Sequence, residues 1–322
     1  MGTHTIPETK TNDFALLVRE GLTKRGQKEL PSKYLYDEIG SALFELICLL
    51  PEYGLTRAEE RIFAEHAADI VSHLPGAVSV AELGSGSGKK TRLLLQALCR
   101  HRAISYYPIE ISPKALASCE RELSDLHCVS VVSLEREYLD GLLEVAARRV
   151  QGQRLLVLFL GSTIGNFDVP ANLGFLRQIR SILWEGDYLL LGADLLKSPD
   201  ALLAAYDDAL GITSAFNRNL LVRINRELDA GFSLDQFVHQ AIFNEQSHSI
   251  EMHLRSLINQ QVSIPGAEIE LALAQGETIW TETCHKYSLE ELNSLANQSS
   301  FLPEAVWLDH SWPFADCLWS AR

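Results

Sequence analysis

The most constraining stretch of the chain is residues 78–95, Val78-Ser-Val-Ala-Glu-Leu-Gly-Ser-Gly-Ser-Gly-Lys-Lys-Thr-Arg-Leu-Leu-Leu95. A short β-branched run turns at three glycines into the apolar period of a helix. Such a corner offers bare backbone N–H groups and the positive end of a helix to an anionic ligand. Glycine is needed where a Cβ would block a tight turn or the ligand's close approach. A dinucleotide site calls for Gly-x-Gly-x-x-Gly. Here Gly84, Gly86 and Gly88 give Gly-x-Gly-x-Gly, with Lys89 where the third dinucleotide glycine would stand. Glu82 adds an acid at the strand's end. A glycine turn with no ligand has the same composition, so the corner alone leaves its occupant open.

Downstream, apolar runs alternate with helical periods. Strands are predicted at Val78–Leu83, Ile104–Ile111, Val129–Leu134, Leu155–Leu160 and Tyr188–Ala193, with helices over Lys89–Cys99, Pro113–Leu126, Leu139–Arg149 and Pro170–Leu183. Near-continuous apolar strands separated by helices imply an α/β fold, a doubly wound parallel sheet covered on both faces. Ligands of such sheets sit beyond the carboxyl ends of the strands, where the strand order reverses. Near Leu196 the pattern changes to two helices, Asp200–Leu210 and Thr213–Leu228, followed by alternating runs that suggest an inserted antiparallel sheet. A helix over Leu289–Ala296 and runs at Glu304–Asp309 and Phe314–Ser320 return the chain to the first sheet's edge. The expected division is a second α+β substrate-binding domain (1–60 and 197–286) and a cofactor domain (61–196 and 287–322), with the substrate in the cleft they form. Before the corner, a helix is expected near Asp13–Arg25, and Thr56 with Glu59 suggests a capping box for the helix that follows.

A net charge of −14 argues against a nucleic-acid or anionic-membrane partner. No run approaches the roughly 18 apolar residues that span a bilayer. The polar N-terminus lacks a signal-peptide core, so a cytoplasmic location is expected, and the chain is taken as a monomer. Cys48, Cys99, Cys119, Cys128, Cys284 and Cys317 lie far apart with no Cys-x-x-Cys pair and are taken as reduced thiols, mostly core filler. The ten histidines show no metal-ligand spacing, and no metal is expected.

Glu110 follows Gly88 by about the interval at which an acid meets ribose hydroxyls in βαβ cofactor folds. Glu137 and Tyr138, after the third strand, supply an acceptor and a ring suited to an adenine. Lys89 and Lys90 oppose the helix dipole, which a ligand carboxylate would explain. The loop Leu160-Gly-Ser-Thr-Ile-Gly-Asn-Phe167 stands at the fourth strand's carboxyl edge and can present carbonyls and an amide to an amine. It equally suits an ordinary loop with a helix cap at Asp168.

Taken together, Lys33-Tyr-Leu-Tyr-Asp-Glu-Ile-Gly-Ser-Ala-Leu-Phe, Leu50-Pro-Glu-Tyr53, Glu82-Leu-Gly-Ser-Gly, Lys90-Thr-Arg-Leu-Leu-Leu, Gly161-Ser-Thr-Ile-Gly-Asn166, Ala205-Tyr-Asp-Asp208 and Phe216-Asn-Arg-Asn219 resemble the histidine Nα-methyltransferases of ergothioneine biosynthesis, over nearly the whole chain. The resemblance implies a class I S-adenosyl-L-methionine (SAM) methyltransferase fold and trimethylation of the α-amine of L-histidine to hercynine. It places Tyr36, Gly161 and Asn166 around the amine. Tyr53, Asn166, Tyr206, Glu282 and Cys284 match positions that hold the imidazole and carboxylate, and Met252 lines the imidazole pocket. Glu82, Gly84, Gly86, Lys90, Glu110, Glu137 and Tyr138 make the cofactor set. Three departures stand out: Cys284 replaces the usual serine, Tyr53-Gly-Leu-Thr-Arg57 replaces Tyr-Tyr-Pro-Thr-Arg, and Glu110 stands where aspartate is common.

Methyl transfer to an amine needs a neutral nucleophile and no oxyanion hole, so positioning, worth roughly 7–11 kcal/mol for well-oriented pairs, should dominate. Other readings are a methyltransferase for another amino acid such as a tryptophan derivative, a nicotinamide oxidoreductase, and a non-catalytic module on the same fold. Glu282 argues against the indole, because a buried carboxylate needs polar partners. Lys89 argues against the nicotinamide.

Overall fold

The structure is a computed structural model and describes residues 8–100, 103–150, 152–167 and 169–322. In chain order its elements are α1 (Glu8–Thr23), β1 (Lys28–Glu29), α2 (Glu38–Ile47), α3 (Leu55–Ser72), β2 (Val78–Leu83), α4 (Lys89–Cys99), β3 (Ile104–Glu110), α5 (Pro113–Leu123), β4 (Val129–Val131), β5 (Leu134–Glu135), α6 (Tyr138–Ala147), β6 (Arg154–Phe159), α7 (Val169–Ile182) and β7 (Tyr188–Asp194). They continue as α8 (Pro199–Tyr206), α9 (Ile212–Leu228), β8 (Phe237–Asn244), β9 (Ser249–Ser256), β10 (Gln260–Ile264), β11 (Ile269–Leu273), β12 (Thr278–His285), α10 (Leu289–Gln298), β13 (Phe301–Asp309) and β14 (Phe314–Ala321). Two units result: Met1–Tyr53 with Ser198–Cys284 (unit 1), and Gly54–Lys197 with His285–Arg322 (unit 2).

Unit 2 carries an eight-stranded sheet in the order β13-β14-β7-β6-β2-β3-β4, with β5 alongside β3. Strands β2, β3, β4, β6 and β7 run parallel, and β14 returns antiparallel to β7. Every residue of β2 and β7 is buried, as expected of strands with helices on both faces. The chain winds outward from β2 to β3 and β4, then returns to β6 on the other side of β2. The carboxyl ends of β2 and β6 are therefore neighbours at the point where strand order reverses. Phe159, Leu176, Leu191, Phe301 and Trp319 form part of the apolar core on one face of this sheet.

Unit 1 carries a four-stranded sheet, β1-β12-β9-β8, and a separate β10–β11 hairpin. Helix α9 packs on β8 and β9, and α2 packs on α9. The buried residues Phe216, Asn217, Leu220, Leu221, Ile224 and Leu228 follow the helical period on α9.

Several expectations change. The third predicted strand breaks into β4 and β5, because Pro108 in β3 has no N–H to donate opposite the gap. Helix α8 stops at Tyr206, since the Asp208 carboxylate turns to accept from Ile212 N (3.0 Å) and Thr213 N (2.7 Å), capping α9 instead. The capping box at Thr56 and Glu59 does not form: α3 starts from Gly54 with no side-chain cap, and Glu59 is buried. That helix belongs wholly to unit 2, so the division falls after residue 53, not 60. The cysteines are not all thiols. Cys99 at the end of α4 and Cys128 just before β4 form a disulfide with Cα atoms 5.8 Å apart. The pairing of β3 with β4 brings them together, with Ile104 N donating to Cys128 O at 2.8 Å. The cap suggested at Asp168 lies outside the described residues. Among the described residues no helix is long and apolar enough to cross a membrane.

Candidate active site

In unit 2, β2 delivers Gly84, Gly86 and Gly88 to the carboxyl edge. Gly88 caps α4 with φ 74°, and a Cβ there would lie 2.7 Å from Cys119 Sγ on α5, so packing excludes a side chain. Gly86, at φ 53°, has no atom within 4 Å of where its Cβ would be. The space over its backbone is open. Glu110, the last residue of β3, reaches this corner: its carboxylate accepts from Gly86 N at 3.4 Å, Ile111 N at 2.9 Å and Ser112 N at 3.1 Å. Burial raises its pKa, partly offset by those three donors. Tyr138, at the start of α6 beside the cap residue Glu137, packs its ring on Phe159 (5.9 Å) and Phe175 (6.1 Å), and its hydroxyl lies 3.1 Å from a Cβ built on Gly84.

Glu82 faces inward and is 2 % exposed. Its oxygens accept from Thr91 Oγ1 on α4 at 2.7 and 2.8 Å and from the Tyr106 hydroxyl, clamping helix and strand together. Burial pushes its pKa up to about 7 against those hydroxyls and Lys90. Lys90 has a protein partner: its ammonium pairs with Glu59, whose carboxylate also accepts from Gly161 N at 2.8 and 3.1 Å. Asp316 on β14, fully buried beside the same carboxylate, has its pKa raised well above the usual range by burial and by Glu59.

The loop after β6 passes through two left-handed residues, Gly161 (φ 73°) and Ser162 (φ 57°), into a short turn ending at Asn166. Ser162 Oγ accepts from Asp194 N at 2.9 Å, and Tyr287 Oη donates to Ile164 O at 3.2 Å. The loop is thereby fixed to the end of β7. An open glycine corner, a carboxylate at its mouth, an adjacent acid–tyrosine pair and a lysine nearby fit the adenosine, ribose and carboxylate parts of SAM.

Unit 1 gathers the other predicted residues. Tyr36 Oη donates to Glu282 Oε1 at 3.5 Å. The Tyr36 ring meets Phe44 (5.3 Å) and Phe216 (5.4 Å) edge-on, Phe44 meets Tyr53 (6.2 Å), and Tyr53 meets Tyr206 (6.0 Å). Glu282 is 8 % exposed, and Met252, Cys284, Tyr53 and Tyr206 are also buried. Asp37, the residue after Tyr36, caps α2 through Gly40 N (2.8 Å) and accepts from Asn219 Nδ2 (2.7 Å) and Arg226 Nη2 (2.8 Å). Burial alone would raise its pKa, but these donors hold it below the usual value.

A family model described as "Histidine-specific methyltransferase, SAM-dependent" matches residues 14–321. The chain belongs to that family. A histidine N-alpha-methyltransferase of Mycolicibacterium smegmatis is 38 % identical over 302 residues, covering 92 % of this chain and 91 % of the relative. One from Mycobacterium tuberculosis is 39 % identical over 276 residues, covering 84 % and 83 %. Ergothioneine biosynthesis protein 1 of Neurospora crassa is 36 % identical over 203 residues, 63 % of this chain and 23 % of that much longer protein.

For this histidine-specific methyltransferase, sequence reasoning missed Glu59, Asp316, Phe44 and Phe216. Glu59 carried the wrong label, since Thr-x-x-Glu spacing suggested a cap. Phe44 and Phe216 lie inside the motifs that resemble the family, and their partners lie in distant segments.

Proposed function

We propose that the chain methylates the α-amine of L-histidine three times to give hercynine, a step of ergothioneine biosynthesis. The observation that carries this reading is the nearly buried Glu282 carboxylate, met by the Tyr36 phenol and accompanied by a chain of aromatic rings. A carboxylate so placed can accept a hydrogen bond from an imidazole N–H, and the flat ring suits aromatic neighbours.

When bound, SAM supplies an electrophilic methyl group on a sulfonium. Gly86, Glu110, Lys90, Glu137 and Tyr138 would hold it, with Gly84 allowing close approach and Glu82 bracing the corner from beneath. Glu59 fixes the Gly161 peptide by accepting its N–H. The Gly161 carbonyl and the Asn166 side chain then meet the substrate amine from a rigid loop. Tyr36, a weakly acidic phenol, accepts the amine's hydrogen bond or passes its proton to water. Each methyl removes an N–H donor, so the pocket must not demand all of them. The ring of Tyr36 can face the growing trimethylammonium, a cation–π contact worth ~0.5–2 kcal/mol. Tyr53, Tyr206 and Cys284 surround the side chain and carboxylate, and the Cys284 thiol is a weaker hydrogen-bond partner than a hydroxyl.

An indole-bearing substrate would suit the aromatic wall and also carries one N–H, but unlike an imidazolium it offers Glu282 no positive charge. Mass spectrometry of histidine with excess SAM and the protein should show mono-, di- and then trimethylhistidine. Accumulation of monomethylhistidine alone at long times would refute trimethylation.

A further inference from the structure

The Phe216-Asn-Arg-Asn219 stretch contains a residue with no role so far. Asn217 is fully buried in unit 1, yet its amide uses every strong hydrogen-bonding group it has. Its Nδ2 donates to the backbone carbonyl of His253 at 3.1 Å and bonds His239 Nδ1 at 2.9 Å, while its Oδ1 accepts from Thr281 Oγ1 at 2.6 Å. The same hydroxyl lies 2.9 Å from the carbonyl of Met252, and His239 Nε2 lies 2.8 Å from the carbonyl of Tyr206.

The chemistry fixes the Asn217 amide and the His239 ring, while the single Thr281 hydroxyl proton is shared between Asn217 Oδ1 and the Met252 carbonyl. A backbone carbonyl accepts and never donates, so the His253 carbonyl orients the Asn217 amide with its NH₂ toward the two histidines. His239 Nδ1 must then accept, which leaves Nε2 carrying the proton and donating to Tyr206. Burial lowers the His239 pKa and favours this neutral form. Each tie lands on, or next to, a residue of the aromatic and carboxylate cluster. Tyr206 and Met252 are held by their own carbonyls. Thr281 precedes Glu282 on β12, and alternation along a strand sends neighbouring side chains to opposite faces. Anchoring Thr281 on one face therefore fixes the direction of Glu282 on the other. Asn217 likewise sets the roll of α9, which aims Phe216 at Tyr36. Apolar packing alone would tolerate small slips that a satisfied buried polar network does not.

We propose that Asn217, His239 and Thr281 form a positioning hub that sets the spacing of Tyr206, Met252, Phe216 and Glu282, and thereby the affinity for histidine. The inference rests on the histidine reading of unit 1. These are positioning residues, acting through the side chains that meet substrate.

The test is calorimetric titration of histidine into protein preloaded with S-adenosylhomocysteine, with steady-state kinetics alongside. Thr281→Val keeps the shape and removes the hydroxyl. It should weaken histidine binding and raise KM about 10-fold. The affinity for S-adenosylhomocysteine and kcat should stay within about 3-fold of wild type. Thr281→Ser, which restores the hydroxyl, should recover most of the loss. A general loss of folded protein would lower the active fraction without moving KM. Should Thr281→Val fail to fold, His239→Leu is read the same way, because it severs only the ties to Tyr206 and Asn217. Undiminished histidine affinity in the folded variant, or equal losses in Thr281→Val and Thr281→Ser, would overturn the hub. A wild-type protein that binds S-adenosylhomocysteine but not histidine would instead overturn the reading on which it rests.

Discussion

The glycine corner of unit 2 and the aromatic cluster of unit 1 are built by opposite means. The corner is mostly backbone, drawn from one contiguous stretch, with open space over Gly86 and a packing contact under Gly88. The cluster is all side chain. Tyr36, Phe44, Tyr53, Tyr206, Phe216 and Glu282 come from segments up to 246 residues apart. A site made of backbone is lost in one step, because no rotamer can make room for a misplaced Cβ. A site made of many side chains should weaken by degrees, each residue contributing the few kcal/mol of one contact.

The sharpest way to break this contrast is Gly86→Val. A branched side chain at φ 53° is strained and fills the space left for the ligand. SAM binding should fall by more than about 100-fold, beyond the reach of routine calorimetry. Unchanged affinity would mean that the corner is not the cofactor site.

Glu82 tests whether the corner is braced from beneath. Its pKa rises from 4.5 to about 7 through burial, so between these values the folded chain holds a proton that the unfolded chain has released. The resulting stabilisation is complete below the unfolded value and is lost as pH rises through about 7. Glu82→Gln cannot titrate. The stability of wild type relative to this variant should therefore fall by about 3 kcal/mol between acid and neutral pH, as read by urea denaturation. A pH-independent difference would contradict the buried, clamped carboxyl.

In the aromatic cluster the expected effect is graded. Glu282→Ala removes a charge-assisted hydrogen bond worth ~1.5–3 kcal/mol, so kcat/KM for histidine should drop by about 10-fold to 150-fold. Adding Met252→Val enlarges the pocket, and the double variant should gain activity toward tryptophan. An exposed acid on a half-buried strand would predict almost no change.

This contrast also explains what was legible in the sequence. The parallel sheet, the corner and the strand-end position of Glu110 follow from local pattern, because glycine spacing and apolar periodicity act over a few residues. The cysteine pair did not, since 29 residues and a strand pairing separate Cys99 from Cys128. Glu59 was visible but misassigned: its spacing from Thr56 suits a cap, and only the fold brings it to Gly161 and Lys90. Lys90 stands against the helix dipole, and the structure gives it a protein partner, the Glu59 carboxylate, that local pattern does not reveal. Tyr36 and Glu282 are recognisable through family resemblance, while nothing in periodicity or spacing marks Asn217, His239 and Thr281 as partners of one another. Buried polar ties of this kind are specified by tertiary register, which a linear pattern does not carry.

The most direct test of the account is substrate choice in a mixture. The protein is incubated with methyl-labelled SAM and the twenty amino acids, and the products are followed by mass spectrometry. Histidine should be the amino acid labelled, ending as the triply labelled betaine, and the Met252→Val, Glu282→Ala variant should shift label toward tryptophan. Labelling of another amino acid as fast as histidine by the wild-type protein, or wild-type selectivity in the double variant, would contradict the assignment of side-chain recognition to Glu282 and its aromatic neighbours.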